Sequence, residues 1–153
     1  QDDEPVKITT HDLRNENCSV AWNQRQVRAG QVCSGYWEVD IREDGGYEIE
    51  LRRWPQETGY TLQSGIDGDD SGWRRDCIKA ADAPAYEGGE AIAINWAQLS
   101  IGGNNYQHEI DANAQSVTFS VELKKGADQL FAAFYDDKER TLAPYYVYVR
   151  RSL

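Results

Sequence analysis

The sequence lacks methionine and has few of the residues on which most active sites depend. Among its 153 residues are two histidines, His11 and His108, and three cysteines, none of them in Cys-x-x-Cys spacing. This inventory argues against the common closed zinc sites. Because methionine is absent, Gln1 is not a translation start, and we expect a processed product or a piece of a longer protein.

Long apolar runs and excess positive charge are also missing. The longest apolar stretches, such as Ala91–Ile94, span only a few residues, whereas a transmembrane helix needs roughly 20. Sixteen Lys and Arg stand against 26 Asp and Glu, a net charge of −10, while nucleic-acid-binding proteins carry a basic excess on at least one face. We therefore expect neither a membrane nor a nucleic acid as partner. The composition is globular, and residues 1–153 are predicted to form one domain.

Alternation of apolar and polar residues runs through most of the chain. It is clearest in Tyr36–Ile41 and Tyr47–Trp54, which a Glu-Asp-Gly-Gly cluster separates, and we predict these two segments as a hairpin. In 90–101 the pattern puts Ile94 and Trp96 on one apolar face, which Leu99 continues. Further strands are predicted around Val6–Ile8, Tyr106–Ile110, Val117–Leu123, Leu130–Tyr135 and Tyr145–Val149.

About eight short strands between Gly, Asn and Asp turns predict an all-β fold. The expected architecture is an antiparallel β-sandwich of jelly-roll type. The segment Gln56–Gly89 is glycine- and aspartate-rich without periodicity, and it is predicted as a long irregular excursion. Long loops on a rigid sandwich are common places for function.

Five short motifs in order resemble the C-terminal region of bacterial arylsulfatases of the alkaline-phosphatase-like superfamily. The resemblance runs from Val6 to Arg151 and implies an accessory domain beside a sulfatase catalytic domain. The catalytic Cys/Ser-x-Pro-x-Arg motif of that family is absent, so we assign no catalytic residue and expect no hydrolysis of sulfate esters by this chain alone. The motifs are Thr10–Asp12, Trp22–Gln24, Trp37, Leu51–Pro55 and Tyr145–Val149.

The first candidate site is Arg52, Arg53 and Trp54 at a predicted strand end. Alternation puts Arg52 and Trp54 on the outer face, where a Trp ring and a guanidinium would suit a sulfated sugar. The structural alternative pairs Arg52 with Glu48 or Glu50 and makes Arg53 a cap of the core. Trp54 would then be buried beneath the excursion, and this interpretation is favoured because Pro55 turns the chain there.

The second candidate is the segment Trp22, Asn23, Gln24, Arg25 and Arg28. An aromatic ring, two amides and two guanidinium groups suit sugar hydroxyls and sulfate. The same residue types are enriched at protein interfaces, so a contact surface against the catalytic domain is an equal alternative. Trp73, within the excursion, would be either a sugar platform or an anchor.

The third candidate is an acidic loop, Asp67–Gly72. Its spacing matches the first half of an EF-hand, but the twelfth position, which requires Glu, is Ile78. A looser structural calcium site is one interpretation, and a solvated acidic turn is the favoured one. No other cofactor is expected. The calcium ligands would be Asp67, Asp69 and Asp76.

The resemblance leaves two functions open for the chain. One is a noncatalytic carbohydrate-binding module that holds a polysaccharide, expected to be sulfated, near a sulfatase catalytic domain. The other is a structural domain that buttresses the catalytic domain without a ligand of its own. Such systems are periplasmic or extracellular, where disulfides form. We expect Cys18 to pair with Cys33, leaving the thiol of Cys77 as the one free group in a thiol titration.

Overall fold

The computed structural model describes residues 4–15, 34–65, 91–138 and 140–152. Within these residues, nine strands form two antiparallel sheets packed face to face, which confirms the predicted all-β sandwich. No helix in this part of the chain is long and apolar enough to cross a membrane. The strands are β1 (Val6–Thr9), β2 (Tyr36–Ile41), β3 (Gly45–Arg52), β4 (Ile94–Ile101), β5 (Asn104–Glu109), β6 (Val117–Leu123), β7 (Gly126–Asp136), β8 (Thr141–Leu142) and β9 (Tyr146–Arg151).

The strand order confirms the jelly-roll prediction. The first sheet has the order β1-β9-β3-β6, and the second has the order β2-β7-β4-β5, with the short β8 paired to β7. Strands β1 to β4 alternate between the two sheets along the chain, and so do β5, β6 and β7. This connectivity is the pair of Greek keys that defines an eight-stranded double-sheet jelly roll.

The predicted hairpin between the second and third strands is wrong. Strand β2 pairs with β7, whereas β3 pairs with β6 and β9 in the other sheet, so residues 42–44 form a corner between the sheets. The alternation of apolar and polar residues predicts which face of a strand is buried, but it does not predict which strand pairs with it. The tight hairpin joins β4 to β5, where Gly102 and Gly103 have φ of 62° and 74°. Positive φ at both central positions is typical of a type I′ turn.

The core lies between the sheets and is filled by one face of each strand. Ile49 and Leu51 of β3 and Phe134 of β7 are fully buried. The indole of Trp37 is also buried, and its Nε1–H donates a hydrogen bond to the carbonyl oxygen of Thr9 at 2.9 Å. That bond satisfies the polar end of a buried ring and ties the second sheet to the end of β1.

Strand β4 contains a β-bulge at Asn95, and the bulge reverses the expected direction of Trp96. Ile94 lies opposite Asp136 and Trp96 lies opposite Tyr135, so β4 advances two residues while β7 advances one. Ile94 therefore points into the core while Trp96 points out, 48% exposed. The prediction that they share one face is wrong, because the extra residue shifts the two-residue period.

Candidate functional site

The outward turn of Trp96 creates a groove on the outer face of the second sheet. We call it the Trp96 groove. Its volume is about 540 Å³. Strand β4 supplies its floor, the edge strand β5 supplies one wall, and the end of β7 with the following turn supplies the other. The side chains that define the groove are Asn95, Trp96, Gln98, Gln107, Tyr135 and Asp137.

The polar groups of the groove are arranged by the register of three strands. Gln98 lies between Gln107 of β5 and Ala133 of β7. The hydroxyl of Tyr135 donates to Oε1 of Gln98 at 2.9 Å. Because this bond occupies the oxygen of the amide, its NH2 group remains oriented to donate to a ligand. An exposed indole face beside amides and a phenol is a combination that suits a sugar ring and its hydroxyls.

A buried carboxylate holds the turn at one end of the groove. Asp136 accepts hydrogen bonds from the backbone N–H groups of Lys138 and Arg140, at 2.9 and 2.8 Å, and from Nε of Arg140 at 2.6 Å. Burial by itself raises the pKa of Asp136, but these bonds from Arg140 and Lys138 outweigh it and hold the pKa below its ordinary value. Asp136 thereby fixes the backbone that carries Asp137 into the groove.

Asp136→Asn is expected to destabilise the protein by about 1.5–3 kcal/mol, because the three hydrogen bonds at this buried position would lose their charged acceptor. A depressed native pKa contributes stability that is present above the ordinary pKa and lost as pH falls through the native value. The difference between wild type and variant should therefore shrink below about pH 4. Urea unfolding at pH 7 and at pH 3 measures it. Asp137→Asn, an exposed carboxylate in the same turn, is the matched control and should change stability little.

The structure places Arg53 and Trp54 inside the molecule. Arg53 is 0% and Trp54 2% exposed. The guanidinium of Arg53 lies 4.7 Å from the centroid of the Trp54 ring, and Nη1 of Arg53 and Nε1 of Trp54 both donate to the carbonyl oxygen of Ser64. The other ring contact of Trp54 is Tyr60, with a centroid distance of 6.4 Å.

This burial corrects the sugar-contact roles predicted for Arg53 and Trp54. Strand β3 ends at Arg52, so alternation no longer applies to Trp54, and the ring turns beneath the segment that follows Pro55. The favoured interpretation, burial at the start of the excursion, agrees with this position. Arg52 remains on the outer face of the first sheet, but it forms an ion pair with Glu50 and its side chain is only 13% exposed.

The remaining predicted site residues lie outside the described residues. They include the aromatic and amide segment, the acidic loop and all three cysteines. In the part of the chain that the structure describes, no three His, Cys, Asp or Glu side chains are placed to hold a metal ion. The predictions that fall outside it are Trp22, Asn23, Gln24, Arg25 and Arg28, Trp73, the calcium ligands Asp67, Asp69 and Asp76, and the Cys18–Cys33 pair.

The main groove residues are absent from the sites predicted from the sequence. They are Trp96, Tyr135, Gln98 and Gln107. A signal was present in the sequence, because apolar positions fall on even numbers at Ile92 and Ile94 but on odd numbers at Leu99 and Ile101. Such a change of parity within one strand requires an extra residue. Trp96 lies at that point, and it is the residue that the bulge turns outward.

Comparisons with known proteins find structural similarity alone. No family model matches the sequence, and no curated protein matches it. A family 35 carbohydrate-binding module from Clostridium thermocellum is 13% identical with a TM-score of 0.47, covering 97% of this chain and 98% of that one.

Two further modules are similar at the same level. A family 35 module from Cellvibrio japonicus is 14% identical with a TM-score of 0.43, covering 100% of this chain and 91% of that one. A carbohydrate-binding module of Cellvibrio mixtus lichenase 5A, in complex with cellotriose, is 11% identical with a TM-score of 0.44, covering 98% and 99%. Because identity and TM-score are low in all three, the function of this chain has to follow from its own surface.

Proposed function

We propose that this chain is a noncatalytic carbohydrate-binding module that holds a polysaccharide in the Trp96 groove. The observation that carries the proposal is the exposed indole of Trp96, turned out of the core by a bulge. Only Trp96 and Val6 are exposed large hydrophobic residues in the described ranges. Bulges next to binding sites re-aim a side chain at the expense of regular pairing.

The chemistry of the groove fits a sugar ring. The flat face of the indole packs against the C–H groups of a pyranose, which buries apolar surface on both partners. The NH2 group of Gln98 can donate to a sugar hydroxyl, the amide of Gln107 can both donate and accept, and the carboxylate of Asp137 accepts only. One aromatic platform surrounded by a few oriented polar groups is the usual composition of a small-molecule site.

The polar surface extends from Trp96 along the sheet. On β4 the outward residues are Trp96, Gln98 and Ser100, which span about 14 Å at the usual rise of a strand. Their direct neighbours on β5 are Glu109, Gln107 and Asn105, and the Ser100 hydroxyl donates to Asn105. A double row of this length fits several consecutive sugars of a chain better than one isolated sugar.

Affinity electrophoresis in native gels tests the proposal. Gels containing hydroxyethyl cellulose, glucomannan, xyloglucan, arabinoxylan, dextran or carrageenan are compared with a gel without polysaccharide. We expect retardation by at least one polysaccharide, and stronger binding to its longer oligosaccharides than to its disaccharide. Unchanged mobility across the whole panel would contradict the proposal.

Three finer predictions follow from the sequence resemblance. They are a sulfated polysaccharide as ligand, a sulfatase catalytic domain as partner, and a periplasmic or extracellular location. The residues proposed to contact sulfate, apart from the paired Arg52 and the buried Arg53, lie outside the described ranges. The sequence upstream of Gln1 tests the sulfatase association, which requires a Cys/Ser-x-Pro-x-Arg motif there.

A structural domain without a ligand is the second candidate. A cleft of about 500 Å³ opens between the edge strands β1 and β2. It is lined largely by aliphatic side chains, among them Ile8, Val39 and the exposed Val6. Such an apolar opening suits contact with a neighbouring domain. If this were the only function, Trp96→Ala would affect no binding event.

A further inference from the structure

The only basic side chain in the strands of the second sheet is the imidazole of His108 on β5. None of the strands β2, β4, β5, β7 and β8 has a Lys or an Arg. The same strands contain five carboxylates, Glu38, Asp40, Glu109, Asp128 and Asp136. The lysine and arginine residues that lie within strands all belong to the first sheet. They are Lys7, Arg52, Arg150 and Arg151.

The negative charge reaches the Trp96 groove itself. Glu109 lies directly opposite Trp96 on β5, and Asp137 lines the other end. Both are exposed, and neither forms an ion pair with a described residue. Arg140, at the end of the groove, is bound to Asp136. Arg14 bridges Tyr36 on the opposite edge strand β2 and is paired with Glu38 at 2.9 Å. Lys138 lies in the turn beyond Asp137.

From this charge distribution we propose that the Trp96 groove selects glycan chains without negative charge and rejects sulfated or uronic-acid-rich chains. The proposal rests on the proposed function. A sulfate placed over the indole would approach Glu109 or Asp137 with no cation from the sheet to pair with, and like-charge juxtaposition suppresses wrong partners. A neutral pyranose offers hydroxyl donors, which carboxylates accept well. A sulfated ligand, as the resemblance implies, would therefore have to bind outside the Trp96 groove.

Matched pairs of polysaccharides test the selectivity. Affinity electrophoresis compares hydroxyethyl cellulose with cellulose sulfate, dextran with dextran sulfate, and desulfated with native κ-carrageenan. For any pair whose neutral member binds, we expect the sulfated member to bind about tenfold more weakly or worse. Raising the salt concentration should reduce the difference in affinity between the neutral and the sulfated polysaccharide, because salt screens the repulsion between exposed charges.

Charge-removing variants locate the source of the selectivity. In the double variant Glu109→Gln with Asp137→Asn, the affinity for the sulfated member should come within about threefold of the affinity for the neutral one. The two substitutions remove the negative charges on both sides of the Trp96 ring that repel sulfate. Glu122→Gln, an exposed carboxylate on β6 of the first sheet, is the matched control and should leave the ratio unchanged.

The outcomes separate this inference from the function on which it rests. Tighter binding of the sulfated member, lost in Trp96→Ala, would overturn the neutral-chain inference and keep the carbohydrate-binding function. Binding of either member that is unaffected by Trp96→Ala would overturn both. A neutral preference that survives Glu109→Gln with Asp137→Asn would also contradict the inference, since its cause would then lie elsewhere.

Discussion

Trp54→Ala should lower the free energy of unfolding by about 3–5 kcal/mol, the usual cost of removing a large buried aromatic side chain. The ring is 2% exposed, stacks beneath the guanidinium of Arg53 and contacts Tyr60. Its loss would leave a cavity and remove the Nε1 hydrogen bond to Ser64. Urea unfolding followed by circular dichroism measures the change.

Trp96→Ala is the matched control for stability. It makes the same change in side-chain volume at a position that is 48% exposed, so it should cost about 1 kcal/mol or less. Equal destabilisation by the two substitutions would show that Trp96 is packed as Trp54 is. A stable Trp54→Ala variant would contradict the core role of Trp54.

The reverse ranking is expected for ligand binding. Trp96→Ala should weaken polysaccharide binding by about 1–3 kcal/mol, on the scale known for bases stacked on aromatic side chains, which is about 5- to 150-fold in Kd. The loss follows from removing the apolar platform while the amides of Gln98 and Gln107 remain. Isothermal titration calorimetry with the oligosaccharide of the best-binding polysaccharide gives the Kd values.

Val6→Ala controls for the loss of an exposed apolar side chain elsewhere. Val6 is 64% exposed and lies on β1 of the first sheet, away from the groove. It should bind as the wild type does. If Val6→Ala weakens binding as much as Trp96→Ala, the ligand does not occupy the groove.

The strand content followed from the sequence because burial on one face imposes a two-residue period. Tyr36–Ile41 and Val117–Leu123 were predicted with the bounds that the structure gives them. Strand partners did not follow, as the corner at residues 42–44 shows. A corner between sheets and a hairpin turn use the same turn residues, and only the long-range pairing of β3 with β6 and β9 separates them.

The candidate site was harder to predict because it depends on an exception to the pattern. The two-residue alternation predicts that Trp96 shares the apolar face of Ile94, and one extra residue at Asn95 reverses that direction. Trp54 shows the opposite case. Its position in the alternation predicted exposure, but the strand ends before it, and Pro55 turns the following segment over the ring.

The indole N–H signals in an NMR titration test the central claim most directly. The five tryptophans give separate indole signals, which single Trp→Phe variants assign, and the polysaccharide-derived oligosaccharide is added stepwise. The account predicts that the Trp96 signal shifts with the ligand, while those of the buried Trp37 and Trp54 stay in place. A shift confined to Trp22 or Trp73, with the Trp96 signal unmoved at saturation, would contradict it.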